Sequence, residues 1–234
     1  MTTQKAPPLT IGVLALQGGV GEHTALLRRA AAHLTSSSPS TTPDFTFLEI
    51  RTPAELAQCH ALIIPGGEST TMAIVARRLG LLDPLRQFVK IDAKPVWGTC
   101  AGLVMLAEEA SATKQGGQEL VGGLDVRVQR NRYGTQMQSF VADLALPFLG
   151  DGERPFRGVF IRAPVVEEVI GEGRAEVMGV YGEGGKGDIV AVRQGNVFGT
   201  SFHPELTDDV RIHVWWLRQV VEAARHGGLV VGGE

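Results

Sequence analysis

The chain has 234 residues, 44% of them hydrophobic and 20% charged, which suits one α/β domain spanning 1–234 with a sizeable core. A formal net charge of −3 argues against nucleic acid as the main partner. Two cysteines are too few for a disulfide scaffold and point to a reducing, cytoplasmic setting. The opening MTTQKAPPLT lacks the apolar run of a signal peptide, and no apolar stretch approaches the length of a membrane span.

Residues 1–9 read as a flexible N-terminus, and TIGVLAL (10–16) is a continuous apolar run expected of a strand covered on both faces. GEHTALLRRAAAHL follows with Leu26, Leu27, Ala30, Ala31 and Leu34 at helical spacing. The Ser/Thr/Pro-rich stretch 35–43 predicts a surface loop before the strand FTFLEI. In TPAE (52–55), Thr52, Pro53 and Glu55 form the signature of a capping box. ALIIP then reads as a strand, GGEST as a turn, and MAIVARRLG as a helix that Gly80 stops. PVWGT and AGLVMLAEEA repeat the strand-then-helix order, which predicts a parallel sheet flanked by helices.

From about residue 120 the pattern changes to the strands LDVRVQR, MQSFVADL, GVFIRAP, AEVMGVY, DIVAVRQ and NVFGTSF, the last two joined as a hairpin through RQGNV. TDDVRIHVWWLRQVVEAARHGG predicts a closing helix with acids in its first turn, and 227–234 a flexible tail. The expected fold is therefore a three-layer α/β structure with a mostly parallel central sheet and an antiparallel portion in the C-terminal half.

Cysteine stands at the corner of GTCAG (98–102), framed by Gly98 and Gly102. This is the cysteine counterpart of the G-x-S-x-G elbow, in which small flanking residues permit a strained turn that exposes a nucleophile. The helix that follows would favour a thiolate at Cys100, and the N–H of Ala101 would be placed to donate to an oxyanion. A buried packing cysteine is an equal reading of these five residues alone. Cys59, in LAQCHALII, has no such frame and reads as a packing residue.

A thiol nucleophile needs a base, and the base needs an orienting group. His203, in GTSFHPEL, ends an apolar strand and has Glu205 two residues on, across Pro204. A strand end with an exposed acid would look the same. The other histidines, His23, His33, His60, His213 and His226, fall on helices or helix ends and read as solvated or half-buried. No pair has metal-ligand spacing with a third ligand, so no metal and no cofactor are expected. In PGGEST (65–70), Gly66 and Gly67 would let backbone approach a ligand, with the Gly67 N–H as second oxyanion donor. A phosphate loop competes, but Glu68 would repel phosphate and the P-loop lysine is missing.

Taken together with IGVLALQG, GEH, LIIPGGESTTM, GTCAGLVMLA, QRNRYG, GVFIRAP and SFHPELT, these segments resemble the class I (triad) glutamine amidotransferases. In detail they resemble the glutaminase subunits of two-subunit pyridoxal 5'-phosphate synthases. GTCAG and HPE mark amidotransferases broadly, whereas PGGEST and FIRAP narrow the choice. The resemblance implies a flavodoxin-like framework, with Cys100 as nucleophile and His203 and Glu205 as its partners. It also implies that Gly67, Glu68, Ser69, Arg130, Ile161 and Arg162 contact L-glutamine. A carboxylate for the α-ammonium and an arginine for the α-carboxylate suit a free amino acid. It implies a separate synthase subunit that receives ammonia, and Gln17 is a candidate for sensing that partner. Two features depart from the family, the long Ser/Thr/Pro stretch and Gly19, where alanine is familiar.

Other readings of the same residues are the glutaminase of another amidotransferase, such as imidazole glycerol phosphate synthase, a cysteine peptidase-like hydrolase, or a non-catalytic binding module. PGGEST and FIRAP speak against the first, and the paired arginines against the second.

Overall fold

The computed structural model describes residues 8–40, 42–111, 117–130, 132, 139–150, 154–182 and 187–227. In chain order the first half holds strand Leu9–Leu14 (β1), helix Val20–Ser37 (α1), strand Phe45–Ile50 (β2), helix Pro53–Ala57 (α2) and strand Ala61–Ile64 (β3). Helices Ser69–Arg78 (α3) and Leu82–Arg86 (α4), strand Val96–Thr99 (β4) and the six-residue helix Ala101–Leu106 (α5) follow. The second half holds strands Ala107–Ser111 (β5), Leu124–Gln129 (β6), Phe140–Leu144 (β7), Phe156–Phe160 (β8), Val165–Val169 (β9), Glu176–Tyr181 (β10), Asp188–Gln194 (β11) and Val197–Thr200 (β12), then helix Arg211–Gly227 (α6).

The main sheet runs β2-β1-β3-β4-β12-β11-β9-β6-β5, with β10 paired to β11, while β7 and β8 form a separate antiparallel pair. Strands β2, β1, β3, β4 and β12 are parallel, and β11 turns back against β12. One face of the sheet is covered by α1 and α6 through Leu27, Ala30, Leu34, Ile212, Trp216, Leu217 and Val220. The other is covered by α2 to α5 through Leu56, Met72, Ala76, Leu85, Leu103 and Leu106. Each central strand residue thus meets apolar atoms on both sides, which is why ALII and VWGT carry no alternation. The mostly parallel three-layer expectation holds, including the antiparallel strands of the second half.

Several boundaries differ from the sequence reading. Leu9 is buried within β1 rather than in a flexible terminus, and residues 1–7 and 228–234 lie outside the described residues. The 35–43 loop begins later, because α1 continues to Ser37. There the hydroxyls of Ser36 and Ser37 donate to the carbonyls of Ala32 and His33, and Thr42 donates to Leu34 and Ser38, so polar residues satisfy the turn they extend. The helix expected over AGLVMLAEEA ends at Leu106, and Ala107–Ser111 is a strand parallel to β6. The Met105 carbonyl takes the N–H groups of Val121 and Gly122, and Glu108 accepts from Gly123, which draws the segment onto the sheet edge.

The strand over GVFIRAP stops at Phe160, leaving Ile161–Pro164 in a turn. The acids placed in the first turn of α6 precede it instead, with Asp209 Oδ1 accepting from the Arg211 N–H. The capping box is present as read: Thr52 accepts from the Glu55 N–H and Glu55 accepts from the Thr52 N–H. Such a cap stabilises a helix by about 1 kcal/mol.

Candidate active site

In the sheet, β4 and β12 are parallel neighbours with Thr99 opposite Thr200, so the residues just beyond both strands emerge at one edge. Cys100 leaves β4 there, its N–H donating to the Thr200 carbonyl (2.8 Å). Three residues past Thr200, His203 is fixed by its own N–H on the Val159 carbonyl of β8 (2.8 Å). Gln17, beyond β1, and Gly66 to Ser69, beyond β3, reach the same edge, where open α/β sheets bind their ligands.

Cys100 occupies the corner with φ +50° and ψ −105°, a left-handed conformation that a side chain adopts only when its surroundings enforce it. Such strain costs on the order of 1–3 kcal/mol and clusters at functional sites. The flanking glycines explain how the corner is tolerated. A Cβ on Gly102 would lie 2.0 Å from the Ile64 carbonyl oxygen, and one on Gly98 only 2.4 Å from the Gly102 backbone. Only bare backbone lets α5 start this close to β3 and β4.

His203 lines the same cavity as Cys100, close enough for Cys100 to act on its ionisation, and its Nδ1 lies 2.8 Å from Glu205 Oε1 on the other side. Burial works against a charge on this imidazole, but interaction with Cys100 and Glu205 outweighs it and raises His203 to about 10. Glu205 is buried, which disfavours its charge, yet hydrogen bonding to His203 holds its pKa below the usual carboxylate value.

A cavity of about 550 Å³ opens over these residues, within the range of small-molecule sites. It is lined by Gln17, Gly67, Glu68, Ser69, Cys100, Ala101, Arg130, Ile161, Arg162, His203 and Glu205, so all the residues singled out from the sequence meet in one place. Within it Arg130 Nη2 donates to Glu68 Oε1 (3.0 Å), and the Glu68 N–H donates to Gln17 Oε1 (2.9 Å). Glu68 also caps α3, accepting from the N–H groups of Thr70 and Thr71. Partial burial opposes its charge, but the hydrogen bonds from Thr71 and Thr70 prevail and lower it to about 2. Gly67, at φ +152°, holds a conformation that favours glycine, and Arg162 sits in the left-handed region at φ 44°.

The sequence matches the SNO glutamine amidotransferase family over residues 13–222. The chain belongs to this family.

Among curated relatives of this amidotransferase, a probable pyridoxal 5'-phosphate synthase subunit PDX2 of Arabidopsis thaliana is 45% identical over 92% of this chain and 87% of its own. A pyridoxal 5'-phosphate synthase subunit PdxT of Streptomyces avermitilis is 49% identical over 87% of this chain and 90% of its own. The Pyrococcus furiosus PdxT is 42% identical over 90% and 98%. A crystal structure of a glutamine amidotransferase superposes with a TM-score of 0.71 at 39% identity, covering 90% of this chain and 98% of that one.

Two histidines of the amidotransferase depart from the sequence reading. His23 and His213, expected to be solvated or half-buried, are both fully buried. His23 Nε2 lies 3.3 Å from Glu205 Oε2, directly beneath the site. GEH was visible as a family segment, but nothing local in it signals a partner far along the chain. His60 accepts from the Thr10 N–H, and His33 and His226 are exposed. Cys59 is buried among apolar side chains as expected, and burial pushes its thiol up to about 12. Gly19 does more than loosen backbone: a Cβ there would meet Glu205 Cγ at 2.9 Å, so its missing side chain leaves room for the carboxylate. Among the described residues no group of three His, Cys, Asp or Glu side chains is arranged to hold a metal, and no helix is long and apolar enough to cross a membrane.

Proposed function

We propose that this amidotransferase is the glutaminase subunit of a pyridoxal 5'-phosphate synthase, hydrolysing L-glutamine to L-glutamate and ammonia for a separate synthase subunit. The observation that carries the reading is a strained Cys100 facing the His203–Glu205 pair in the cavity that also holds Arg130 and Glu68. The names of the relatives supply the pathway. Two free cysteines fit a reducing compartment, and the cytoplasm is the setting we assign.

Glutamine enters with its α-carboxylate toward Arg130, its α-ammonium toward Glu68, and its chain along Ser69, Ile161 and Arg162. His203 holds the proton given up by Cys100, and the thiolate paired with it attacks the side-chain amide carbon. The N–H groups of Ala101 and Gly67 hold the resulting oxyanion. His203 returns the proton to nitrogen as the C–N bond breaks, which releases ammonia and leaves a thioester. It then deprotonates water, the hydroxide adds to the thioester carbon, and the C–S bond breaks to free glutamate. Glu205 holds the His203 Nδ1–H throughout and stabilises the imidazolium. Gln17, bonded to the Glu68 N–H beside the oxyanion turn, links the end of β1 to this machinery and is where a docked partner would be sensed.

The test is ammonia release from glutamine by wild type and Cys100→Ala, each with and without the synthase subunit. Release that survives in the folded variant refutes the nucleophile. Equal wild-type rates with and without the partner refute activation by docking.

A further inference from the structure

Beneath the triad, a polar chain continues where the hydrolytic scheme stops. Glu205 spends one oxygen on His203, and the other, Oε2, is shut off from solvent 3.3 Å from His23 Nε2, without a well-aligned hydrogen bond among the described residues. His23 Nε2 is also 3.3 Å from Thr99 Oγ1, and its Nδ1 is 3.1 Å from His213 Nε2. The edges of both imidazoles pack on Trp97, at centroid distances of 5.7 and 4.9 Å. His23 does not line the cavity and cannot touch a substrate there.

Chemistry selects the protonation of this chain. Burial lowers both His23 and His213 to about 3, so each imidazole is neutral and carries one N–H. A carboxylate oxygen can only accept, so the proton of His23 belongs on Nε2, which lies 3.3 Å from both Glu205 Oε2 and Thr99 Oγ1. Its bare Nδ1 must then accept from the Nε2–H of His213. That leaves His213 Nδ1 without a proton, which agrees with its burial without a hydrogen-bond partner among the described residues. The reverse assignment would aim a lone pair at the carboxylate and strand an N–H at His213 Nδ1, the costlier defect.

We infer that His23, backed by His213, is a positioning residue of the hydrolysis, its Nε2–H holding the inner oxygen of Glu205 so that the outer oxygen stays aimed at His203. The inference rests on the glutaminase reading above and adds a residue that acts only through Glu205. The groups facing His23 are Glu205 and His203 from the segment after β12, His213 from α6, and Thr99 and Trp97 from β4.

The experiment measures glutamine hydrolysis against pH for wild type, His23→Leu and His23→Gln in complex with the synthase subunit, with melting temperature and circular dichroism for each. Leucine removes the donor, whereas the glutamine amide can present an N–H near the place of Nε2. His23→Leu is expected to lower kcat roughly tenfold or more with little change in KM, since the lost interaction acts in the transition state. Its alkaline limb, where His203 loses its proton, should move to lower pH by roughly half a unit or more, because a poorly held carboxylate supports the imidazolium less. His23→Gln should recover most of both. If His23→Leu does not fold, His23→Asn takes its place, its amide being too short to reach Glu205. Folded Leu or Asn variants with wild-type kcat and pH profile overturn the inference while leaving the glutaminase reading intact. A Gln variant as impaired as Leu or Asn overturns it too. Wild-type protein that releases no more ammonia than Cys100→Ala overturns the underlying reading, and the inference falls with it.

Discussion

Glu205 Oε1 meets His203 Nδ1 at 2.8 Å although only Pro204 separates the two residues. The short 3₁₀ turn Pro204–Leu206 folds the carboxylate back under the imidazole, and the proline ring removes one of the turn's backbone freedoms. The approach of His203 to Cys100 on one side and its Nδ1–H donation to Glu205 on the other thus come from a three-residue segment plus one strand register. Replacing Glu205 with Gln keeps the shape and removes the charge that supports the imidazolium. We expect kcat for glutamine hydrolysis to fall by roughly a hundredfold or more with KM little changed. Steady-state ammonia release measures it, and a loss confined to KM would exclude the assigned role.

Gly66 provides a test in which stability and activity separate. A Cβ there would stand 2.4 Å from His203 Cε1 and 3.4 Å from Cys100 Cβ, while the Gly66 backbone is not in the left-handed region. Gly66→Ala should therefore keep its backbone geometry and displace the imidazole from the thiol. The expected result is a melting temperature close to wild type with kcat reduced by roughly tenfold or more, because a misplaced catalytic group forfeits orientation. A variant with full activity would show that His203 need not occupy its observed position.

Arg130 bears on binding rather than chemistry. Its guanidinium is mostly buried, and Glu68 Oε1 takes one of its donors, leaving others for a carboxylate in the cavity. Arg130→Met should raise the KM for glutamine about tenfold to a hundredfold, the worth of a hydrogen bond to a charged group at about 1.5–3 kcal/mol. Its kcat should stay near wild type. Isothermal titration of a Cys100→Ala background with glutamine would check the same loss without turnover, and unchanged affinity would remove Arg130 from the substrate grip.

What could be read from the sequence was whatever short spacing encodes. GTCAG and HPE carry their geometry within a few residues, so Cys100, His203 and Glu205 were visible before any contact was known. The parallel half was legible because both faces of β1, β3 and β4 are covered. Strand β5 was not, since the Ala and Glu of AEEAS continue the helix-favouring run of α5 and only the contacts of Met105 and Glu108 with residues 121–123 override that preference. Helix α4 and strand β9 escaped for a related reason: LDPLR and VVEEV are five residues each, too short to show a period. His23 escaped because its partners, Glu205 and His213, are brought to it only by the packing of α1 against α6 and the turn after β12.

The same buried imidazoles set how stability should depend on pH. His23 and His213 are held at about 3 in the folded chain against an ordinary 6.5, in both cases chiefly through burial. An unfolded chain takes up their protons as pH falls through 6.5, and the folded chain refuses them until about 3. Their contribution is therefore complete above 6.5 and lost progressively between 6.5 and 3. His203 has the opposite sign: raised to about 10, it stabilises fully below 6.5 and loses that contribution as pH rises through 10. These three groups place the stability maximum near neutrality. His213→Phe removes one of the two acid-linked groups while keeping a ring beside Trp97. It should flatten the fall of unfolding free energy across the acid window by up to about 1.4 kcal/mol per pH unit. Urea unfolding at a series of pH values through that window measures the slope. A slope equal to wild type would mean that His213 is protonated in the folded chain, and with it the tautomer assigned to His23 would fail.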